Sequence, residues 1–255
     1  MTNKNITYVL KWSDTIDDKF IEDFLSVENS VLGGFTQHTL EQKIIHNIYG
    51  LSLITIAYLD EEPIGVDAMI RNDVGEQTCF ETIDTCVLEK SRGVGVFSSI
   101  TKKEVEEIKR VYPEAYIYGF PNANSYPGYV KMKWTVQNRL YPTIFLCPFL
   151  YNLNNQYIID LEYGKWLNKS SQEFFYFKRG RNYYLIKQGR KHILMIGRIE
   201  SKAALLFKRK KHPGMIKYFC GRKSFFNNNN YNGSIVTSQK IPLEIPYWKC
   251  DTFLN

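Results

Sequence analysis

The sequence predicts a mixed α/β fold in which helices pack against a central sheet. Segments rich in β-branched and aromatic residues alternate with segments whose apolar residues recur at helical spacing. Up to Trp134 their order is β-α-α-β-β-β-α-β-α, which favours a layered domain around one sheet. The composition, 44% hydrophobic and 23% charged, is ordinary for a folded globular chain of 255 residues.

The first half of the chain contains the clearest elements. A break at Gly33-Gly34 separates two predicted helices, and Ser13-Asp14 offers an N-cap for the first of them. The predicted strands are Ile6–Trp12, Leu51–Leu59, Ile64–Arg71, Gln77–Leu88 and Ala115–Phe120, and the predicted helices are Asp17–Val31, Thr39–Ile48 and Ser98–Val111.

Beyond Trp134 the pattern is less regular. Arg139–Phe149, Tyr183–Lys187 and His192–Ile196 are predicted as strands, Tyr151–Asn155 as a loop, and Asn227–Asn230 as a polar surface loop. We expect a first domain over residues 1–150 and a basic C-terminal α+β region over residues 151–255.

Charge is distributed unevenly along the chain. The net charge is +7, yet Lys165–Lys223 holds 17 lysines and arginines against two acidic residues. The remaining residues therefore carry a net charge of −8. Such asymmetry indicates either a surface for an anionic partner or a basic face in contact with solvent, and the charges alone leave both open.

Several classes of protein are disfavoured. No apolar run reaches the roughly 20 residues of a membrane helix, so no membrane insertion is expected. The N-terminus has no pattern typical of a secretory signal. The five cysteines form no CxxC pair, which argues against a disulfide framework and a zinc site. A reducing cytoplasm is the predicted location, without a bound metal.

A glycine-rich turn lies where a strand meets a helix. Arg92–Phe97 contains Gly93 and Gly95, and glycines let the backbone approach a ligand closely. The helix that follows directs its unpaired N–H groups toward an anion. Ser98 occupies the place of the third glycine of a dinucleotide fingerprint, and no Gly-Lys-Ser/Thr triplet of a P-loop is present.

The residues around this turn resemble a known family. Val87–Phe97 is similar to the acyl-CoA turn of the GNAT acetyltransferases, with Lys90, Gly93 and Gly95 at the three marked positions. A second stretch, Asn122–Trp134, is similar to the family's pattern Asn-x6-Tyr-x-Lys-x-Gly-Phe. Asn122, Tyr129, Lys131 and Trp134 are in register there, and Lys133 replaces the usual glycine.

The resemblance implies the GNAT fold, with the central sheet splayed between its fourth and fifth strands. It implies acyl-CoA as donor, either acetyl-CoA or a longer or hydroxylated acyl-CoA, with the pantetheine arm in the cleft between those strands. The implied CoA-binding residues are Val87, Leu88, Lys90, Arg92, Gly93, Val94, Gly95, Val96, Phe97, Asn122 and Asn124.

Three residues are candidates for the chemistry. Alternation places Glu81 on the strand face of Ile83, Thr85 and Val87, with Asp84 on the other, although a bulge could bring Asp84 round. The resemblance favours Glu81, six residues before Val87, as general base, and Asp84 is the alternative. It favours Tyr129 as the acid that protonates the leaving thiolate, and a backbone N–H near Val87 as oxyanion donor. No cysteine has a partner pattern for a covalent intermediate, so direct attack on the thioester is expected.

The acceptor is less constrained. Tyr118–Pro127 resembles the subgroup that acylates nucleotide-linked amino sugars in bacterial surface-polysaccharide (lipopolysaccharide O-antigen) biosynthesis, and the basic region suits a diphosphate. Candidate acceptor-binding residues are Phe35, His38 and Tyr183, with His46 near the second helix. An antibiotic or polyamine acetyltransferase and a nucleic-acid-binding protein are the alternatives, and nucleic acid is not the expected partner. A homodimer is one assembly compatible with these features.

Overall fold

The computed structural model describes residues 5–145, 158–169, 173–188, 193–211, 216–220, 233–242 and 245. The chain divides into two compact units, residues 1–135 with 236–241, and residues 136–235 with 242–255. The first boundary therefore differs from the predicted one at residue 150, and six residues from late in the chain join the first unit. Structure within Tyr151–Asn155 and Asn227–Asn230, both predicted as loops, lies outside the described residues.

The first unit follows the predicted order of elements. Its strands are β1 (Ile6–Trp12), β2 (Leu53–Leu59), β3 (Glu62–Arg71), β4 (Cys79–Val87) and β5 (Tyr116–Gly119), and its helices are α1 (Asp18–Val31), α2 (Gln37–Leu40), α3 (Val96–Val111) and α4 (Tyr126–Lys131). A π-helical turn, Glu41–Ile45, continues α2, so the predicted second helix begins two residues earlier and ends three residues earlier than expected.

The sheet of this unit is mixed. Strands β1 to β4 are antiparallel neighbours in chain order, and β5 runs parallel to β4. Val236 and Thr237, at the end of a late strand (Gly233–Thr237), pair antiparallel with β5. The α/β architecture with a mixed central sheet is confirmed.

Two long helices cover opposite faces of the sheet. On the α3 side, Ile108 packs with Leu53 and Phe80. On the other side, Tyr58 donates a hydrogen bond to Asp23 of α1 at 3.0 Å. Leu53 and Tyr58 are five residues apart on β2, so strand alternation places them on opposite faces. The core is therefore divided into two layers, and each functional side chain below belongs to one of them.

The start of α1 corrects one prediction. Asp17 caps the helix, and its side chain accepts a hydrogen bond from the Phe20 N–H at 2.9 Å. Ser13, proposed as the cap together with Asp14, instead extends the pairing of β1 and β2. Its N–H donates to the carbonyl of Ser52 at 2.8 Å, and its hydroxyl accepts from the Ser52 N–H at 3.2 Å.

The described part of the second unit contains its own strands and two helices. The elements are β6 (Thr135–Phe145, whose first residue belongs to the first unit), α5 (Leu161–Lys169), β7 (Phe174–Arg179), β8 (Asn182–Gln188), β9 (Ile193–Ile199), α6 (Ser201–Ala204), β10 (Lys208–Arg209) and β11 (Ile216–Cys220); the late strand Gly233–Thr237 is β12. Strands neighbour one another in the order β6-β11-β9-β8-β7-β10. The strand predicted over Arg139–Phe149 thus begins four residues earlier, and its last four residues lie outside the described part.

Among the described residues, no helix is both long and apolar enough to cross a membrane.

Candidate active site

Strand β4 separates from β5 halfway along its length. Cys79–Thr82 pairs with Tyr116–Gly119, whereas Ile83–Val87 pairs with β3 alone among the described strands. A strand edge without a neighbouring strand can accept an extended ligand chain by hydrogen bonding to its backbone. The splay between the fourth and fifth strands, which the resemblance implies, is therefore present, and it opens toward the glycine turn.

A β-bulge lies in the released part of β4. The register with β3 shifts between Val66 and Ala68, and Asp84 has a φ of 51°. Thr82 and Thr85 both donate hydrogen bonds to Asp67, at 3.3 and 2.7 Å, so these residues three apart share the α3 side. In regular alternation they would face opposite ways.

The bulge corrects the predicted alternation. Thr85 does not share a face with Glu81, because the extra residue turns Thr85 to the α3 side. Asp84 is turned away from Thr85, to the α1 side, which is the alternative arrangement expected for a strand with a bulge. Its Oδ2 accepts from Lys43 Nζ at 2.8 Å.

Glu81 lies below the point of separation. Its Cα is opposite Tyr118 in the paired part of β4 and β5, and the residue has no exposed surface. Its Oε2 accepts a hydrogen bond from the Asn72 side chain at 2.9 Å. Its assignment as the base stays a prediction, and its enclosure makes it the less accessible of the two predicted carboxylates.

The ion pair of Lys43 and Asp84 is buried. The two side chains retain 1% and 5% of their exposure. A third ionisable residue, Glu28 near the end of α1, interacts electrostatically with both and is itself buried. Burial, and then the negative charge of Asp84, raise the pKa of Glu28 to about 7, against the opposing effect of Lys43. Neither Glu28 nor Lys43 is among the site residues predicted from the sequence.

Two of the three predicted acceptor-binding residues follow α1. Phe35 is buried, its backbone N–H and carbonyl are both bonded to the Asn29 side chain at 2.9 Å, and Lys43 Nζ lies 5.6 Å from its ring centroid. Phe35 therefore lies beside Lys43 of the buried ion pair. His38, in α2, is exposed. Tyr183 belongs to the second unit, where Lys178 Nζ lies 5.2 Å from its ring centroid. Their roles toward an acceptor remain predictions.

The glycine turn has the conformation that an anion site needs. Gly93 and Gly95 have φ values of 83° and 90°, in the left-handed region that favours glycine. A Cβ built on Gly93 would meet no atom within 4 Å, and the turn from Arg92 to Gly95 is exposed. Helix α3 begins directly after it, without a side-chain cap and without an acidic residue in its first turn. These features fit a pyrophosphate at the helix N-terminus.

The side chains around the turn are partly engaged. Lys90 is paired with the exposed Glu62, and Arg92 Nε donates to the carbonyl of Val87 at 3.2 Å. Leu88 and Phe97 are partly exposed, Val94 is exposed, and Val96 is buried beneath the helix start.

The second motif forms a capped turn. The carboxamide oxygen of Asn122 accepts hydrogen bonds from the N–H groups of Asn124 and Ser125, at 2.9 and 3.0 Å. This oxygen therefore holds the turn before α4, and contact of Asn122 and Asn124 with CoA remains a prediction. Lys133 stands where the resembled motif has glycine, and its φ of 64° lies in the left-handed region. The lysine thus adopts the backbone conformation that glycine would adopt more easily.

Tyr129 is buried against the beginning of α3. Its ring packs edge-on against Phe97, with centroids 5.2 Å apart, and its hydroxyl lies 3.0 Å from Thr82 Oγ1. The close approach of α4 requires Gly128, because a Cβ there would lie 2.4 Å from Phe97 Cε1. Burial raises the pKa of Tyr129, so the phenol keeps its proton at neutral pH, as a proton donor must.

Behind Tyr129 lies a pair of buried carboxyls. Asp67 and Glu104 of α3 are wholly enclosed, and Asp67 accepts from Thr82, Thr85 and the Ala68 N–H. If Asp67 and Glu104 were both ionised, neither oxygen of Glu104 would have a hydrogen-bond partner among the described residues. Burial and the neighbouring charge of Asp67 raise the pKa of Glu104 well above its usual range. We infer that Glu104 is protonated and donates to Asp67.

This arrangement makes the stability of the first unit pH-dependent. A carboxyl whose pKa is raised in the folded state stabilises that state below its unfolded pKa, and the contribution is lost as pH rises through the folded value. Over that window the loss is about 1.4 kcal/mol per pH unit. Glu104→Gln cannot ionise and can donate an amide N–H to Asp67. The free energy of unfolding, measured with urea between pH 5 and pH 9, should therefore fall less in Glu104→Gln than in the wild-type protein as pH rises. If the difference in unfolding free energy between the variant and the wild-type protein is constant across this range, Glu104 is not protonated in the folded protein.

Comparison with known proteins identifies the fold. No protein-family model and no curated protein sequence matches the chain. Solved structures do match. A probable N-acyltransferase from Enterococcus faecalis V583 aligns with a TM-score of 0.59 at 10% identity, over 91% of this chain and 72% of that one. A GCN5-related N-acetyltransferase from Kribbella flavida aligns with a TM-score of 0.57 at 9% identity, over 92% and 71%.

A structure from Pyrococcus horikoshii, assigned as an acetyltransferase, aligns over 97% of this chain and 95% of its own, with a TM-score of 0.54 at 12% identity. At such identities the similarity concerns the fold and not the substrates. Together with the splayed strands and the glycine turn, it establishes that the chain has the GNAT fold.

Proposed function

We propose that the protein transfers an acyl group from acyl-CoA to a primary amine, by direct attack of the amine on the thioester. The observation that carries this proposal is the edge of β4 at Ile83–Val87, which among the described strands pairs with β3 alone and leads into the Arg92–Phe97 turn and the N-terminus of α3. A pantetheine chain would hydrogen-bond to that edge while the pyrophosphate meets the N–H groups of the turn.

In the proposed chemistry, the proton donor and the base lie on opposite faces of β4. Acyl-CoA supplies an activated thioester. A backbone N–H near Val87 would donate to the oxygen that becomes negative during attack. Tyr129, whose hydroxyl is held at Thr82, would donate a proton to the leaving sulfur. The base would come from the α1 side, where Asp84 lies.

As acceptor we propose a nucleotide-linked amino sugar, with acetyl-CoA or a longer or hydroxylated acyl-CoA as donor. Support comes from the charge of Lys165–Lys223, 17 basic residues against two acidic ones, which favours an anionic acceptor over a cationic one. The same charge is compatible with nucleic acid, but nucleic-acid binding would leave the glycine turn and the released strand edge without a purpose.

A panel assay tests this proposal. Acetyl-CoA would be incubated with the protein and with a UDP-linked amino hexose, the free hexosamine, spermidine or kanamycin, and released thiol would be measured. The expected result is the fastest release with the nucleotide-linked sugar, because its diphosphate complements the basic region. Faster turnover of spermidine or kanamycin would reverse the ranking of acceptors and leave the acyltransferase proposal standing. Thiol release with none of the amines, by a protein that binds CoA, would overturn transfer to an amine.

A further inference from the structure

Three ionisable side chains from three elements meet under the bulge of β4. They are Glu28 of α1, Lys43 of the π-helical turn and Asp84 of β4, and this group is here named the bulge cluster. All three are shielded from solvent, and Glu28 is 2% exposed. Two carboxyls and one ammonium give the cluster a net charge of −1 when all are ionised. Because a buried excess charge is costly, one carboxyl in the cluster tends to take up a proton.

The surplus carboxyl is Glu28. Lys43 Nζ is directed at Asp84 Oδ2, 2.8 Å away. Glu28 Oε2 is buried and has no hydrogen-bond partner among the described residues. The neighbouring groups in its electrostatic surroundings are Asp84, Lys43 and the thiol of Cys86, whose own pKa is raised by burial so that it stays neutral. The pKa of Glu28, about 7, lies where a proton is exchanged readily at neutral pH.

Glu28 lies near the exposed end of helix α1. Its backbone carbonyl accepts the N–H groups of Leu32 and Gly33 where α1 ends. Leu32, Gly33 and Gly34 are exposed, and a Cβ built on Gly34 would meet no atom within 4 Å. On its other side stands the released segment of β4.

We propose that Glu28 is the general base of acyl transfer, acting on the acceptor amine directly or through one water, while the Lys43–Asp84 ion pair holds the bulge. This inference rests on the proposed function. In the step, an N–H bond of the acceptor ammonium breaks and an O–H bond forms on Glu28. The freed electron pair of nitrogen then attacks the thioester carbonyl, the C–S bond breaks, and Tyr129 donates its proton to the sulfur. The second proton lost by nitrogen as the amide forms passes through solvent to the Tyr129 phenolate and restores the phenol.

The alternatives on the same strand are less suited to this role. Glu81 lies where β4 and β5 remain paired, outside the Ile83–Val87 segment, and its carboxylate is bonded to Asn72. Asp84 is neutralised by a buried lysine, and an ion-paired carboxylate is a weaker base than an unpaired one. Glu28 has a carboxylate oxygen without a hydrogen-bond partner among the described residues, and it lies beside both β4 and the exposed end of α1.

The test combines a direct and a kinetic measurement on Glu28→Gln, with Glu22→Gln as control, because Glu22 is on the same helix but exposed. Infrared spectra of the protein with labelled glutamate should show, beside the band of protonated Glu104, a protonated-carboxyl band at pH 6 that disappears by pH 8.5. Glu28→Gln should lack this transition, and Glu22→Gln should retain it. If the wild-type protein shows no such transition, or Glu28→Gln retains it, the proposal is overturned.

The kinetic measurement uses acetyl-CoA and the amine of the panel that the wild-type protein acylates fastest. Glu28→Gln should lower the rate at pH 7 by about 10²–10⁴-fold and recover part of it at high pH, where free amine is abundant. Glu28→Asp should give an intermediate rate, and both variants should bind CoA as the wild-type protein does, which shows that they fold. A wild-type rate for Glu28→Gln overturns the base role. If the protein binds CoA but acylates none of the amines, both the proposed function and this inference are overturned. If amines are acylated and only Glu28→Gln keeps the wild-type rate, the base role is overturned and the proposed function stands.

Discussion

Replacing Lys43 by methionine is expected to lower the free energy of unfolding of the first unit by about 3–5 kcal/mol, because it leaves Asp84 buried without its cation. The Lys43 and Asp84 side chains are 1% and 5% exposed, so water cannot replace the lost partner. Glu28, which Lys43 partly stabilises as an anion, should be protonated more readily in this variant. Urea denaturation followed by circular dichroism gives the free energy.

Two further variants make this result specific. Arg110→Met removes the cation of an ion pair with Glu107 whose arginine is 71% exposed, and the loss should stay within about 1 kcal/mol. Lys43→Met combined with Asp84→Asn should recover part of the loss, since the buried charge is removed with its partner. An equal, small effect of Lys43→Met and Arg110→Met would show that the bulge cluster does not hold the strand.

Replacing Gly95 by aspartate should abolish measurable CoA binding and leave the fold largely intact. Gly95 has a φ of 90° and ends the turn directly before α3. A side chain there is strained by about 1–2 kcal/mol, and its negative charge would occupy the place proposed for the pyrophosphate. The turn is exposed, so the strain should not propagate into the core.

Matched variants separate strain from charge. Gly95→Ala keeps the strain without the charge and should weaken binding only moderately. Gly180→Asp places the same residue at an exposed left-handed glycine of the second unit, with a φ of 56°, and should leave CoA affinity unchanged. If Gly95→Asp binds CoA as tightly as the wild-type protein does, the phosphates are not held at this turn.

The sequence sufficed for the elements and the turn because those depend on local patterns. The order of strands and helices follows from periodicity, and Gly93 and Gly95 mark a turn that few other residues could form. The bulge at Asp84 could not be predicted from alternation, because it arises from the shifted pairing of β4 with β3. Its consequence, the turn of Asp84 toward Lys43, depends on a residue 41 positions away in the chain.

The buried carboxyls were missed, although a signal for them existed. Glu28 occupies a position on the apolar stripe of α1, eight and four residues after the buried Phe20 and Phe24. Glu104 lies midway between Ile100 and Ile108 on the buried face of α3. A carboxylate on the apolar face of a helix is costly unless it is paired or protonated, so such positions indicate a buried site. The pattern could not predict the partner of each carboxyl, because that partner lies on a different element.

Calorimetric titration of the wild-type protein with CoA tests the acyltransferase proposal most directly. We expect saturable binding of one CoA per chain, with a dissociation constant between about 1 µM and 1 mM as for typical enzyme substrates. Acetyl-CoA should compete, and Gly95→Asp should remove the heat. Absence of heat and of any thermal stabilisation at millimolar CoA would show that the GNAT fold of this chain serves a purpose other than acyl transfer.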